Sequence, residues 1–187
     1  MKEIFFITGN KGKVEEAKAF FSDLDIKIVQ KDTGYPEIQA DSLEEVARFG
    51  VDFLSKKIKS PFILEDAGLF IKSLKSFPGV YSAYVYNTLG CRGILTLMKE
   101  IKKEERNALF KSVYAYLEPG NAPHFFIGES KGFISFEEKG NNGFGYDPIF
   151  VPEGENKSFA EMNPKEKNKY SHRGKSLVKL NNYFKNR

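Results

Sequence analysis

Two adjacent acids, Glu65 and Asp66, end the apolar run Phe62-Ile63-Leu64 and are followed by Ala67-Gly68. Carboxylates at the edge of an apolar strand are costly to desolvate unless they are paired or hold a metal. Magnesium takes oxygen ligands, keeps several waters and needs only one or two protein acids. The pair can therefore supply a magnesium site. Strand alternation sends the two side chains to opposite faces, which predicts different roles for them. The competing reading is a polar strand end before a turn. Glu37, in the loop "YPEIQAD", enters only as a further metal ligand.

A phosphate partner for such a metal is suggested by "TGNKGK", Thr8-Gly9-Asn10-Lys11-Gly12-Lys13, set between Ile4-Phe5-Phe6-Ile7 and Val14-Glu15-Glu16-Ala17. A P-loop needs four residues between its glycines and a hydroxyl after Gly-Lys. Here two residues separate Gly9 from Gly12, and Val14 stands where the hydroxyl belongs. The N-terminus of a helix still offers unpaired N–H groups and a partial positive charge. Asn10 is a natural N-cap, the glycines let backbone approach a ligand, and Lys11 and Lys13 add cationic reach. A capped helix with two solvated lysines fits the spacing equally well.

Two further stretches complete the set. "GNNGFGYDP", residues 140–148, marks a turn in which Phe144 and Tyr146 offer faces on which a base can stack. With 18 phenylalanines in the chain, rings tucked into the core are the alternative. "SHRGK", residues 171–175, puts His172 and Arg173 in the first turn of a helix, where the dipole disfavours cations. An anionic or carbonyl-bearing partner would offset that cost, and Lys167, six residues earlier, can converge on it. Ordinary surface cations are the competing reading. Taken together, a phosphate-suited turn, strand-end acids, an aromatic glycine loop and a basic helix start are the parts of a magnesium–nucleoside triphosphate site with a base pocket.

The elements that must position these residues alternate. Residues 3–8 and 26–30 read as strands around a helix at about 11–21. A helix is predicted from Ser42, with Glu45 at capping-box spacing, to about Lys57. A short strand at 62–64 is expected to break at 65–68. Helical patterning runs from Gly93 to about Lys103. Strands are expected at 107–118 and 124–137 around a Pro-Gly-Asn turn, and another at Pro148-Ile149-Phe150. Asn163-Pro164-Lys165-Glu166 is a helix start, and a last helix begins at Ser171. This order predicts an α/β fold with a mixed sheet, as a single domain over 1–187.

Composition sets the limits. Of the 187 residues, 41% are hydrophobic and 29% charged, which excludes a disordered chain. The net charge of +4 suits an anionic ligand without requiring a nucleic-acid partner. Apolar runs are too short to span a membrane, and the first one reads as a strand rather than a signal peptide. One cysteine, Cys91, fits a reducing compartment, so a cytoplasmic address is expected.

The motifs "TGNKGK", "EDAGL", "FPGVYSAY", "GNNGFGYDPIF" and "FAEMNPKEKNKYSHRGK" occur in the order and approximate spacing of the inosine triphosphate pyrophosphatase family. The chain resembles that family from Thr8 to about Leu177, and the tandem of "GFGYDPIF" with "EKNKYSHRG" is its most specific part. The resemblance implies cleavage of ITP, dITP and XTP between the α- and β-phosphates, with Mg2+ as cofactor. It implies a homodimer of elongated, two-lobed α/β subunits, each with a central mixed β-sheet, flanking helices and a cleft between lobes. It also implies roles: Thr8 to Lys13 for the triphosphate and Asp66 for catalysis, with Glu37 and Glu65 helping at the metal. Ala67, Phe144, Gly145, Tyr146, Asp147, Lys167, His172 and Arg173 fall at substrate-binding positions, with Phe144 as the stacking ring. Two departures stand out. Ala67 replaces the Ser or Thr that many members carry, and Tyr81-Ser82-Ala83-Tyr84 replaces the bacterial "YSAR". A pyrophosphatase for other modified nucleotides and a non-enzymatic nucleotide- or RNA-binding protein are the rival readings. The acids at 65–66 count against the second, since they repel a nucleic-acid backbone.

Overall fold

The computed structural model describes residues 2–36 and 38–186. Its strands are β1 (Lys2–Ile7), β2 (Ile26–Lys31), β3 (Phe62–Ile71), β4 (Pro78–Gly79), β5 (Asn107–Leu117), β6 (His124–Ile134) and β7 (Phe150–Pro152). Its helices are α1 (Lys11–Phe20), α2 (Leu43–Ser55), α3 (Ser82–Leu97), α4 (Pro164–Tyr170) and α5 (His172–Lys185). The sheet runs in the order β2-β1-β3-β5-β6-β7, with β4 beside β3. It is mixed: β1 is parallel to β2 and β3, while β3–β4 and β6–β7 are antiparallel. Parallel neighbours need crossover connections, and α1 and α2 supply them. The expected α/β fold with a mixed central sheet and flanking helices is the one observed.

The chain forms two compact units. Unit 1 comprises Met1–Asp66, Val113–Ile127 and Ser176–Arg187. Its core gathers Ile4 and Phe6 of β1, Val14 and Ala17 of α1, Ile63 of β3, Tyr114 and Tyr116 of β5, and Leu177 and Leu180 of α5. In α2 the buried residues Leu43, Ala47, Gly50, Val51 and Leu54 repeat at helical spacing, giving one inward face. The predicted cap holds, with Ser42 Oγ accepting the Glu45 N–H at 3.3 Å. Glu45 Oε2 accepts from the Asp41 N–H instead of closing the box on Ser42.

Unit 2 comprises Ala67–Ser112 and Gly128–Lys175. Its core contains Leu69 and Ile71 of β3, Val85, Cys91 and Ile94 of α3, Phe110 of β5, Phe150 of β7, and Phe159 and Met162 from the segment before α4. Arg106 is 1% exposed within it. Its guanidinium donates to the carbonyls of Met98, Ile134 and Ser135, each at 2.7 Å, and to that of Ile101 at 3.2 Å. Lining up several carbonyl dipoles replaces the water that a buried cation loses.

Three expectations about elements fail. The strand expected at Pro148-Ile149-Phe150 starts only at Phe150, because Asp147–Ile149 form a 3-10 turn in which the Asp147 carboxylate accepts the Phe144 N–H. The strand predicted to stop at Leu64 continues to Ile71, because the acids find side-chain partners, described below. Gly68 also lets β4 approach, since a Cβ there would collide with the Gly79 carbonyl. The helix predicted from Gly93 to Lys103 runs instead from Ser82 to Leu97. Ser82 anchors its start: its hydroxyl accepts the Leu69 N–H at 2.8 Å and donates to the Gly79 carbonyl at 2.6 Å. Gly90, with φ 63° and ψ −169°, is non-helical and divides α3 into two helical stretches, the second of which begins close to the predicted Gly93 and ends earlier, at Leu97. The Met98 and Ile101 carbonyls are taken by Arg106, which closes the far end.

Candidate active site

The turn after β1 is organised by its own side chains. The Asn10 N–H donates to Thr8 Oγ1 at 3.1 Å, and Asn10 Oδ1 caps α1 by accepting the Lys13 N–H at 3.2 Å. Gln30 Nε2, from β2, donates to the Thr8 carbonyl at 2.9 Å. No acid occupies the first turn of α1 itself. A Cβ at Gly9 would stand 3.2 Å from both carboxylate oxygens of Asp32, which shows how closely Asp32 approaches this turn. Lys11 is exposed and Lys13 half-buried.

On β3 the acids diverge, as strand alternation requires. Glu65 is buried, and its Oε2 lies 2.6 Å from Lys13 Nζ, which also donates to the Glu65 carbonyl at 3.1 Å. This ion pair joins the phosphate-suited turn to the acidic strand. Removing one partner of such a pair would strand a buried charge, costing about 3–5 kcal/mol. Asp66 is half-buried on the other face, where the Tyr35 hydroxyl donates to its Oδ2 at 2.5 Å. The two faces correspond to two helices. Ile63 and Glu65 meet α1, while Leu64 lies against Gly50 of α2. Ala67, the next residue, is half-buried in β3.

In unit 2, the glycine loop before β7 is held from within. Gly140, Gly143 and Gly145 all have positive φ, at 78°, 76° and 64°. At Gly143 a Cβ would collide with the Asp147 carboxylate. Asp147 is buried; its Oδ2 accepts the Phe144 N–H at 2.8 Å and lies 2.7 Å from Lys167 Nζ of α4. Phe144 remains 37% exposed, with Lys167 Nζ 5.1 Å and Arg173 Cζ 5.0 Å from its ring centroid. The electron-rich ring face gives these cations an attractive partner, which helps offset the dipole at the start of α5.

The remaining members of this set point inward. Tyr146 is buried, donates to the Ser82 carbonyl at 3.2 Å and meets Tyr86 edge-on. Burial raises its hydroxyl pKa. His172 is 3% exposed and stacks on Phe110, with ring centroids 4.5 Å apart. Gly145 accepts a long contact, 3.5 Å, from the Cys91 thiol. Thus Phe144, Asp147, Lys167 and Arg173 form one cluster, while Tyr146 and His172 line the core behind it. In unit 1, the turn and both acids form the second cluster. Glu37 lies outside the described residues.

The Ham1 family model matches residues 4–183. The chain belongs to the Ham1 family. It is 51% identical over 180 residues to the dITP/XTP pyrophosphatase of Thermococcus kodakarensis, with 96% of each chain aligned. It is 55% identical over 175 residues to that of Pyrococcus horikoshii, covering 94% of this chain and 92% of the relative. Among solved structures, a HAM1 protein from Coxiella burnetii superposes with a TM-score of 0.89 at 31% identity over 100% of both chains. The Ham1 protein of Staphylococcus aureus gives 0.85 at 28% identity, over 99% of both. The family expected from the motifs is therefore the family found.

Among the described residues of this Ham1 chain, no group of three or more His, Cys, Asp or Glu side chains is gathered for a metal. The donors available at β3 nevertheless suit a hard cation, because they are carboxylate oxygens and magnesium needs only one or two. Asp66 presents such a donor at partial exposure, whereas Glu65 is engaged by Lys13. Inspection of the motifs alone misses Tyr35 and Asp32. Tyr35 sits in an unpatterned loop, and the one sequence signal for it is Gly50, a glycine in the middle of an otherwise well-formed amphipathic helix.

Proposed function

We propose that the protein hydrolyses the non-standard purine nucleoside triphosphates ITP, dITP and XTP to the monophosphate and pyrophosphate, clearing deaminated purines from the nucleotide pool. The observation that carries this reading is the near-complete alignment with relatives named dITP/XTP pyrophosphatase. In this reading the chain acts as one catalytic domain over 1–187. The Thr8–Lys13 turn receives the triphosphate through first-turn amides and Lys11, with Lys13 shared between phosphate and Glu65. Asp66 orients the attacking water and accepts its proton at the carboxylate. Mg2+ would be held by Asp66 with Glu37, while Glu65 helps to position the site through Lys13, and it would neutralise charge on the phosphates and acidify water when bound.

The base is assigned to the glycine loop. Phe144 supplies the stacking face, supported by its exposure. Lys167, Arg173 and Asp147 set its position, while Gly145 and Tyr146 shape the loop and His172 backs it. Hypoxanthine and xanthine carry a 6-oxo acceptor where adenine carries an amino donor. A fixed donor such as Arg173 favours the former and leaves adenine unpaired, which is how polar sites reject near-isosteres. A homodimer is part of the reading, supported by the exposed Tyr81 and Tyr84 at the start of α3, and so is a cytoplasmic location, supported by the free thiol of Cys91.

The test is a panel of ITP, dITP, XTP, GTP, ATP and UTP, assayed for pyrophosphate with and without magnesium. Preference for the first three is expected. Preference for UTP, or an absence of pyrophosphate release with every nucleotide, would refute the assignment. Sedimentation velocity tests the dimer.

A further inference from the structure

Tyr35 follows Gly34, whose φ of +56° turns the chain after β2. Its ring lies against α2 at Gly50, where a Cβ would stand 2.9 Å from Tyr35 Cε2 and Cζ and 3.0 Å from Leu64 Cδ2. Glycine is among the poorest residues for a helix interior. Its place on the buried face of α2 marks a notch from which side-chain bulk is excluded. The phenol seated in that notch donates to Asp66 Oδ2 at 2.5 Å. Leu64, two residues before Asp66 on the same face of β3, closes the notch from the other side. All of these groups belong to unit 1.

A carboxylate left to itself rotates broadly about its terminal torsion. We infer that Tyr35 is a positioning residue for Asp66, its ring wedged at Gly50 so that the hydroxyl ties Oδ2 and directs Oδ1 to the reacting water. This rests on the reading of Asp66 as the group that accepts the proton. A neutral phenol donating to an ionised carboxylate is a strong, directional bond. It engages Oδ2 and so leaves the proton transfer to the other oxygen, Oδ1. It also fixes the carboxylate plane before substrate arrives, and small misplacements of a catalytic group are costly in rate.

Tyr35→Phe keeps the ring in its notch and deletes only the donor. Its kcat on ITP should fall about 10- to 100-fold, the loss typical of one hydrogen bond to a charged group. KM, and the calorimetric Kd for a non-hydrolysable ITP analogue, should stay within about twofold, because substrate binding does not use the bond. The Tm without metal should move by no more than about 2 °C. Gly50→Ala, which crowds the ring, should lower kcat in wild type and add less than that loss in the Tyr35→Phe background. Asp66→Asn is the control for the underlying reading and should abolish most turnover. If Asp66→Asn is inactive while Tyr35→Phe keeps wild-type kcat, the role given to Tyr35 is wrong and Asp66 stands. If Asp66→Asn stays active, the functional reading itself fails. A Tyr35→Phe variant that loses affinity at unchanged kcat would make Tyr35 a binding residue and overturn the inference.

Discussion

Replacing Asp147 by Asn tests whether the aromatic loop is held by a buried charge pair. Both partners are almost inaccessible, with side chains 7% exposed for Lys167 and 4% for Asp147, and their atoms lie 2.7 Å apart. Asparagine conserves the shape and can still accept the Phe144 N–H, but it leaves the Lys167 ammonium without its carboxylate. Breaking a buried pair from one side costs about 3–5 kcal/mol. At roughly 2–4 °C per kcal/mol for a chain of this size, Tm should fall by about 6–20 °C. Lys167→Met should cost a similar amount. In the double variant neither charge of the pair remains, so the combined loss should be clearly smaller than the sum. Calorimetry on the four proteins closes the cycle. Nucleotide KM should rise in both single variants, because Lys167 Nζ lies 5.1 Å from the Phe144 ring centroid and one variant loosens that cation while the other removes it. Strict additivity, or a Tm for Asp147→Asn within about 1 °C of wild type, would refute the reasoning, since it would mean the pair is solvated.

Three other outcomes are expected. Arg106→Lys places one ammonium where a guanidinium reaches four carbonyls, so it should cost at least about 2 kcal/mol in urea unfolding; an unchanged midpoint would show that water serves those carbonyls. Gly68→Ala forces a methyl into the Gly79 carbonyl and should destabilise by about 2 kcal/mol or more, seen as lost amide protection at Leu69; wild-type protection would mean that β4 can shift freely. Burial pushes the Cys91 thiol from 9.0 up to about 12, so the unfolded chain releases this proton at lower pH than the folded one. The stabilisation is full below about pH 9 and is lost as pH rises towards 12, so Cys91→Ala should flatten the fall in Tm over that window; parallel curves would contradict it.

Much of this protein was legible in its sequence, because the signals involved are local. The Asn10 cap, the Asn163-Pro164-Glu166 helix start and the β-branched strands 107–117 and 124–134 depend on neighbouring residues and appeared where expected. Family membership was equally readable, since motifs are strings. Prediction failed where a distant partner overrode a local cue. Acids at 65–66 signal a strand end until Lys13 and Tyr35 satisfy them. Helical patterning from Gly93 catches only the second stretch of α3, because the first is started by Ser82 bonding to Leu69 and Gly79.

The lysines of α5 show the same division. Nothing local in the sequence gives them partners, but the structure engages two of them. Lys179 Nζ donates to the Ile127 carbonyl at 2.7 Å and Lys175 Nζ to that of Glu129 at 2.9 Å, while the Glu153 N–H takes Lys131. These are alternate carbonyls of β6, where side-chain caps protect a strand edge from pairing with another chain. Residue types and spacing thus determined the chemistry available: oxygen donors for a hard cation, amides and lysines for phosphate, rings for a base. Only the tertiary structure decided the assignments. Lys13 meets Glu65, Tyr35 meets Asp66, Asp147 turns inward to hold its own loop, and His172 is committed to the core. Each pairing depends on which strand faces reach which helices, and that follows from sheet order and helix placement, to which no local pattern is sensitive.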